Sequence, residues 1–381
     1  MKIILVFGTR PEAIKMAPLF HELNKYPDEF EVIVCVTAQH REMLDQVLSI
    51  FKIVPDIDLN LMRSGQDLFD ITSNVLIRMR DILDKVKPEI LLVHGDTSTT
   101  FSSALAAFYA NIPIGHIEAG LRTYDLSSPF PEELNRQIVS KLSNIHFSPT
   151  ERNKENLLKE NINEDDIYVT GNTVIDSMFW VLSNIENDDK LKELIRNDLY
   201  KEIDFNWEAD KFVLITGHRR ENFGDAFLEI CDAIKTLANS YPKVHFIYPV
   251  HLNPNVQKPV KAVLGNLLNV HLIKPLDYEP FIYLLKKAHI VLTDSGGIQE
   301  EAPSLGKPVV VMRDLTERPE AVEAGTVSLA GSSKVNIVSE VSNLLDNQEL
   351  YSKVSLSYNP YGDGTACKNI VDILRKKAND R

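Results

Sequence analysis

Cysteine is scarce: Cys35, Cys231 and Cys367 are three thiols in 381 residues, widely spaced and without a CxxC pair. That spacing excludes a disulfide frame or a cysteine-rich zinc site and suggests buried thiols in a reducing compartment. Positive charge is in short supply too. With 41 Lys and Arg against 54 Asp and Glu, the formal net charge is −13, which argues against a general nucleic-acid binder, because gripping the phosphate backbone needs a basic face. A small anionic ligand, needing only a few cations in one place, stays open. No apolar stretch approaches the roughly 20 residues of a membrane helix. The first apolar run stops at Gly8, too short for a secretory signal, so a cytoplasmic address is expected. There is no GxGxxG after the first strand, and no Walker A, HExxH or GxSxG sequence. Nicotinamide-dinucleotide, P-loop, zincin and nucleophile-elbow chemistry therefore lack their usual loops. No cluster reads as a divalent-metal cage.

What is present is an ordinary globular composition, 44% apolar and 25% charged, in a length that favours two domains. Residues 3–7 are a continuous apolar, β-branched run, the mark of a strand buried on both faces. A Gly8-Thr9-Arg10 turn follows, with Pro11 where a first helical residue would sit. Strands at 32–36, 90–93 and 112–117 then alternate with helices to about 25 and at 43–51, 69–86 and 102–109. The stretch 186–210 is polar, with helical character and little core signal. Beyond it the alternation restarts, with strands at 212–215, 244–248, 270–273, 290–292 and 309–312 and helices at 227–237 and 281–287. Such alternation predicts an α/β fold of two similar Rossmann-like, doubly wound domains. They are placed at 1–175 and 176–362, with a last helix (363–381) packing back on the first domain.

Ligands bind beyond the carboxyl ends of such strands, and five of those ends are loaded. Phe7 leads into Gly8-Thr9-Arg10, Val93 into His94-Gly95-Asp96-Thr97, and Ile117 into Glu118-Ala119-Gly120-Leu121-Arg122. Ile215 leads into Thr216-Gly217-His218-Arg219-Arg220-Glu221, and Leu292 into Thr293-Asp294-Ser295-Gly296-Gly297. Five in register across two domains point to an active-site cleft between them. Ser295-Gly296-Gly297 opening a helix suits an anion, because helix N-terminal amides face a phosphate and glycine lets the backbone approach closely; the plainer reading is a strand-to-helix turn. Glu301, one turn further in, could accept from both ribose hydroxyls. Arg10, Lys15, His218, Arg219 and Arg220 could neutralise a pyrophosphate, although Lys15 alone also fits a solvated helix face. Asp96, Glu118 and Glu132 are the candidate proton carriers. Against that, Asp96 could cap the following helix, and Glu132, beside Glu133, could simply complement a helix dipole. His94 and His116 read as hydrogen-bonded structural histidines.

Several segments together resemble a known family. FGTRPEAIK (7–15), TAQHREMLDQV (37–47), VHGDT (93–97), GHIEAGLRT (115–123), PFPEELNR (129–136) and GNTVID (171–176) carry the likeness through the first half. GHRREN (217–222), YPVHLNPNV (248–256), TDSGGIQEEAPSLGKPV (293–309), RDLTERPEAVEAGT (313–326) and NPYGDG (359–364) carry it through the second. The chain is similar to the non-hydrolysing UDP-N-acetylglucosamine 2-epimerases. The resemblance implies a glycosyltransferase B-type arrangement, a homodimer, and no metal or redox cofactor. It places the catalytic groups on Asp96, Glu118, Glu132 and His218. The UDP contacts fall on Arg10, Ser295, Gly296, Gly297 and Glu301, with Phe281 beside the uracil and Lys15 inside the first motif. A regulatory second substrate site would involve Gln39, His40, Glu42 and His251, with Glu42 standing where regulated relatives carry Gln. The implied reaction interconverts UDP-N-acetylglucosamine and UDP-N-acetylmannosamine by losing and regaining UDP. Hydrolysis, glycosyl transfer and non-catalytic UDP-sugar sensing are the rival expectations.

Overall fold

The structure, a computed structural model, describes residues 1–37, 41–61 and 65–379. The chain divides into two compact units, one of residues 1–180 with those from 361 onward and one of residues 181–360. The change of unit falls inside the helix Thr173–Asn187.

The first unit is built on a seven-stranded sheet of β1 (Lys2–Phe7), β2 (Glu31–Val36), β3 (Ile57–Asp58), β4 (Ile90–His94), β5 (Ile114–Ile117), β6 (Ile145–Ser148) and β7 (Ile167–Val169). Its spatial order is β3-β2-β1-β4-β5-β6-β7, and every pairing is parallel. Parallel strands covered by helices on both faces must be apolar throughout; accordingly Ile3, Ile4, Leu5 and Val6 have no solvent exposure. The helix Ala366–Asn379 belongs to this unit. The Ala366 and Cys367 amides donate to Asp176 at 3.2 and 2.8 Å, and Arg375 pairs with Glu29.

The second unit carries a six-stranded sheet of β8 (Phe212–Thr216), β9 (His245–Pro249), β10 (Val270–Ile273), β11 (Ile290–Thr293), β12 (Val309–Val311) and β13 (Val327–Leu329). Its order is β10-β9-β8-β11-β12-β13, the same winding as the first sheet. Each sheet therefore reverses direction once, between β1 and β4 and between β8 and β11. A doubly wound sheet opens a crevice at that point.

The polar stretch 186–210 does contribute to the core. The helix Asp189–Glu202 buries Ile195 and Leu199, and Trp207 is fully buried against Tyr200 and Tyr283. Among the described residues no helix is long and apolar enough to cross a membrane.

Candidate active site

In the first unit the switch point sits where β1 and β4 end. Thr9 caps the helix Arg10–Leu23 in a capping box with Glu12, and Pro11 lies in its first turn. Glu12 does more than close the box. Its Oε2 accepts from the Gly8 and Thr9 amides and the Thr9 hydroxyl at 3.0, 2.8 and 2.8 Å. Its Oε1 accepts from the Thr97 and Thr100 hydroxyls at 2.6 and 3.0 Å. Burial raises the Glu12 pKa, and these hydrogen bonds oppose the rise. One carboxylate thus ties the loop bearing Arg10 to the loop bearing Asp96.

Asp96 follows β4 and does not cap the next helix. Thr97 does, accepting from the Thr100 amide at 3.1 Å. The Asp96 carboxylate instead takes Arg136 Nε at 2.8 Å, while Asn135 donates to its backbone carbonyl at 2.8 Å. Burial raises the Asp96 pKa, Arg136 opposes the rise, and the nearby Glu118 adds to it. A carboxyl shifted upward in this way is suited to passing a proton near neutral pH.

Glu118, directly after β5, has φ +62°, a left-handed backbone that a non-glycine residue adopts only when its surroundings demand it. Its side chain accepts from Lys15 Nζ and from Asn172 Nδ2, the latter at 2.9 Å. His94 Nε2 lies 4.0 Å away and has no hydrogen-bond partner among the described residues, so this histidine is not the fully satisfied group its sequence context suggested. Burial lowers its pKa to about 4, with Glu118 opposing. His116 does match its structural reading on one nitrogen: Nε2–H donates to the Gly95 carbonyl at 2.7 Å.

Glu132 opens the helix Glu132–Leu142, and its Oε2 is buried without a hydrogen-bond partner among the described residues. Dipole complementation alone leaves that oxygen unexplained. Its neighbour Glu133 is the structural member of the pair. Fully buried, it accepts from the Thr123 and Tyr124 amides, Gln137 and Arg136. Burial works to raise its pKa, but these bonds bring it below the ordinary value.

In the second unit the switch point is bounded by the ends of β8 and β11. The helix Gly296–Ser304 begins after Ser295, whose side chain does not cap it. A Cβ placed on Gly296 would meet only the Arg318 guanidinium, at 3.6 to 3.8 Å, and one on Gly297 only Glu301, at 4.0 Å. Those are ordinary contacts, so packing within the chain does not require glycine at either position. Glu301 accepts from the Tyr278 hydroxyl at 3.1 Å, and Phe281 is half-buried on the same helix as Tyr278. Arg318 Nε donates to Glu300 at 2.6 Å. His218 is exposed beyond β8, stacked on His251 with ring centroids 5.3 Å apart.

The first unit thus gathers Asp96, Glu118, Lys15 and Arg136 with Glu132 on an adjoining helix. The second gathers Ser295, Gly296, Gly297, Glu301 and His218. Sequence reading missed Glu12, Asn172, Glu133, Arg136 and Arg318, although all lie inside segments it singled out. Of the suggested regulatory set, Gln39 and His40 lie outside the described residues, Glu42 is exposed on the first turn of the helix Arg41–Ile50, and His251 stacks on His218. Among the described residues no group of three or more His, Cys, Asp or Glu side chains could hold a metal ion.

Two doubly wound sheets, each with loaded strand ends at its switch point, define a two-domain α/β fold of the glycosyltransferase B-like class. A likeness to the glycotransferase of kitacinnamycin, 12% identical at a TM-score of 0.66 over 99% of each chain, shows that fold alone. Closer likenesses are specific. The UDP-N-acetylglucosamine 2-epimerase family model matches residues 21–375. A UDP-N-acetylglucosamine 2-epimerase of Campylobacter jejuni is 56% identical over 379 residues, covering 100% of this chain and 98% of the relative. The crystal structure of the Neisseria meningitidis UDP-GlcNAc 2-epimerase bound to UDP-GlcNAc is 53% identical at a TM-score of 0.89, covering 99% of this chain and 100% of that one. The chain belongs to the UDP-N-acetylglucosamine 2-epimerase family.

Proposed function

We propose that this chain reversibly converts UDP-N-acetylglucosamine into UDP-N-acetylmannosamine, acting as a homodimer in the cytoplasm. The observation that carries the reading is Glu118, left-handed in its backbone and with its carboxylate held by Lys15 and Asn172 close to Asp96. UDP-GlcNAc bound to the Neisseria relative supports the choice of substrate.

The C2 hydrogen of this sugar has no adjacent carbonyl and is not acidic by itself. Breaking the C1–O bond, with UDP taking the electron pair, builds cationic character at C1 and acidifies the neighbouring C–H. A carboxylate removes the C2 proton, and the C–H electrons form the C1–C2 double bond of 2-acetamidoglucal. Delivery of a proton to the opposite face and re-addition of UDP at C1 give the 2-epimer. The reaction therefore needs acid–base groups on both faces of the sugar and stabilisation of the leaving diphosphate. In this reading Asp96, Glu118 and Glu132 move protons. His218, Arg10 and Lys15 meet the diphosphate, as do the Ser295 hydroxyl and the Gly296 and Gly297 amides, the Ser295 amide being held by Thr293 Oγ1 at 2.9 Å. Glu301 takes the ribose hydroxyls, and Phe281 flanks the uracil.

Incubating the protein with UDP-N-acetylglucosamine alone, followed by NMR, tests the reading. An equilibrium mixture of two UDP-sugars is expected, and turnover in D₂O should place deuterium at C2. Free N-acetylmannosamine would instead make the chain a hydrolase, and only protium at C2 after full turnover would end the elimination route.

A further inference from the structure

We infer that Asp294 is a positioning residue that fixes the ring orientation and tautomer of His218. The inference deepens the proposed function and rests on it, since it takes His218 to act on the departing diphosphate.

Asp294 immediately follows β11 and is 1% exposed. Its two carboxylate oxygens are used differently. Oδ2 accepts the His218 and Arg219 backbone amides, both at 2.8 Å, which holds the loop after β8 in place. Oδ1 is buried and has no hydrogen-bond partner among the described residues. It lies 3.8 Å from Nδ1 of the His218 ring. A buried carboxylate oxygen without a donor is costly, and the imidazole is positioned to supply one. The Tyr248 hydroxyl does not compete, because it already donates to the Gly217 carbonyl at 2.8 Å. A small rotation of the exposed His218 ring brings Nδ1–H onto Oδ1. The neutral ring then carries its proton on Nδ1, and Nε2, on the far side, is left for the substrate. A carboxylate behind an imidazole in this way both selects the tautomer and stabilises the imidazolium.

The charges around the ring make Asp294 decisive. Burial lowers the His218 pKa most, and His251 and Arg219 lower it further; Asp294 is the group that raises it. His251 stacks 14° from parallel with His218, ring centroids 5.3 Å apart. Without the Asp294 charge, His218 would be driven toward the neutral form, a poorer partner for negative charge building on the leaving UDP.

Nitrogen-15 NMR of the labelled full-length protein, with His218 identified by comparison with His218→Gln, tests the idea directly. The wild-type neutral ring should be the Nδ1–H tautomer. In Asp294→Asn the His218 pKa should fall by about 1 pH unit or more, as for loss of an opposite charge at this range. kcat should drop about 10-fold or more, with its alkaline limb moved to lower pH. In a His218→Gln background the same substitution should cost no further kcat. An Nε2–H tautomer in the wild type overturns the inference even if Asp294→Asn does not fold, and so does an unchanged His218 pKa in the folded variant. If His218→Gln keeps full turnover while tautomer and pKa behave as expected, the proposed role of His218 fails and its coupling to Asp294 stands.

Discussion

The two units wind their sheets in the same order and load the same strand ends, yet they present opposite kinds of site. At the first switch point the polar groups are side chains: Asp96 on Arg136, Glu118 on Lys15 and Asn172, and Glu132 with an oxygen left over. At the second the distinctive feature is backbone, a helix entered through two glycines with no side-chain cap. A buried carboxyl raised like Asp96 suits bond making, and fixed amide dipoles suit holding a phosphate. In the proposed reading one scaffold serves two tasks through its different strand-end loops.

The sharpest way to break this division is to remove proton carriers without changing shape. Asp96→Asn and Glu118→Gln should each reduce kcat by about 10²-fold or more, while circular dichroism and UDP affinity stay near the wild type. Near-normal turnover in either variant would take that residue out of the chemistry. Next in size, Glu301→Ala should weaken UDP binding about 10-fold by calorimetry, as expected for one charged hydrogen-bonding partner, with a smaller change in kcat. Arg10→Ala should do the same from the first unit, marking the limit of the division.

Glycine substitutions sharpen the comparison from another side. A Cβ on Gly8 would meet Thr37 Oγ1 at 2.0 Å and Thr99 Oγ1 at 2.6 Å. Gly8→Ala should therefore lower stability by about 1–3 kcal/mol in a denaturant titration. Gly296→Ala should leave stability within about 0.5 kcal/mol and weaken UDP binding instead. Equal destabilisation by the two would mean that both glycines serve packing.

The smallest effect is in acid. In the first unit burial lowers His94 to about 4, His116 to about 3 and His146 to about 4; in the second it lowers His289 to about 4. Each folded pKa lies below the unfolded value, so the unfolded chain binds more protons and stability falls as pH drops from about 6.5 toward 4. Asp176 works the other way. Burial raises it to about 6, the folded state binds the extra proton between about 4 and 6, and stability gains as pH falls through that window. Among the described residues the lowered histidines lie in both units and outnumber the raised carboxyls Glu12, Asp96 and Asp176, so a denaturant titration should show stability falling as pH drops from 7 to 4.5. Asp176→Asn should steepen that loss.

Much of this was legible from the residues alone. Apolar runs such as 3–7 and 212–215 announced buried parallel strands, and the groups following them announced the two switch points. The sequence Ile-His-Phe-Ser of β6 and the three residues each of β7 and β13 were too short and too polar to stand out as strands. Asp96 looked as fit to cap a helix as to react; the structure gives the cap to Thr97 and the Asp96 carboxylate to Arg136, 40 residues away, a proximity no local pattern reports. Glu12 was hidden for a similar reason. Its Thr9 partner is local, but Thr97 and Thr100 lie 85 and 88 residues on, a distance no periodicity reports.

The Glu12 knot also constrains how this chain can change over generations. Its carboxylate receives donors from Gly8, Thr9, Thr97 and Thr100, so replacing either threonine hydroxyl on the second loop strips a buried acceptor. Replacing Glu12 by a neutral amide turns one acceptor into a donor that faces donors left without an acceptor. These positions are poorly placed to drift one at a time. Segments 7–15 and 97–100 would have to be inherited, or transplanted from a distant relative, as a single block.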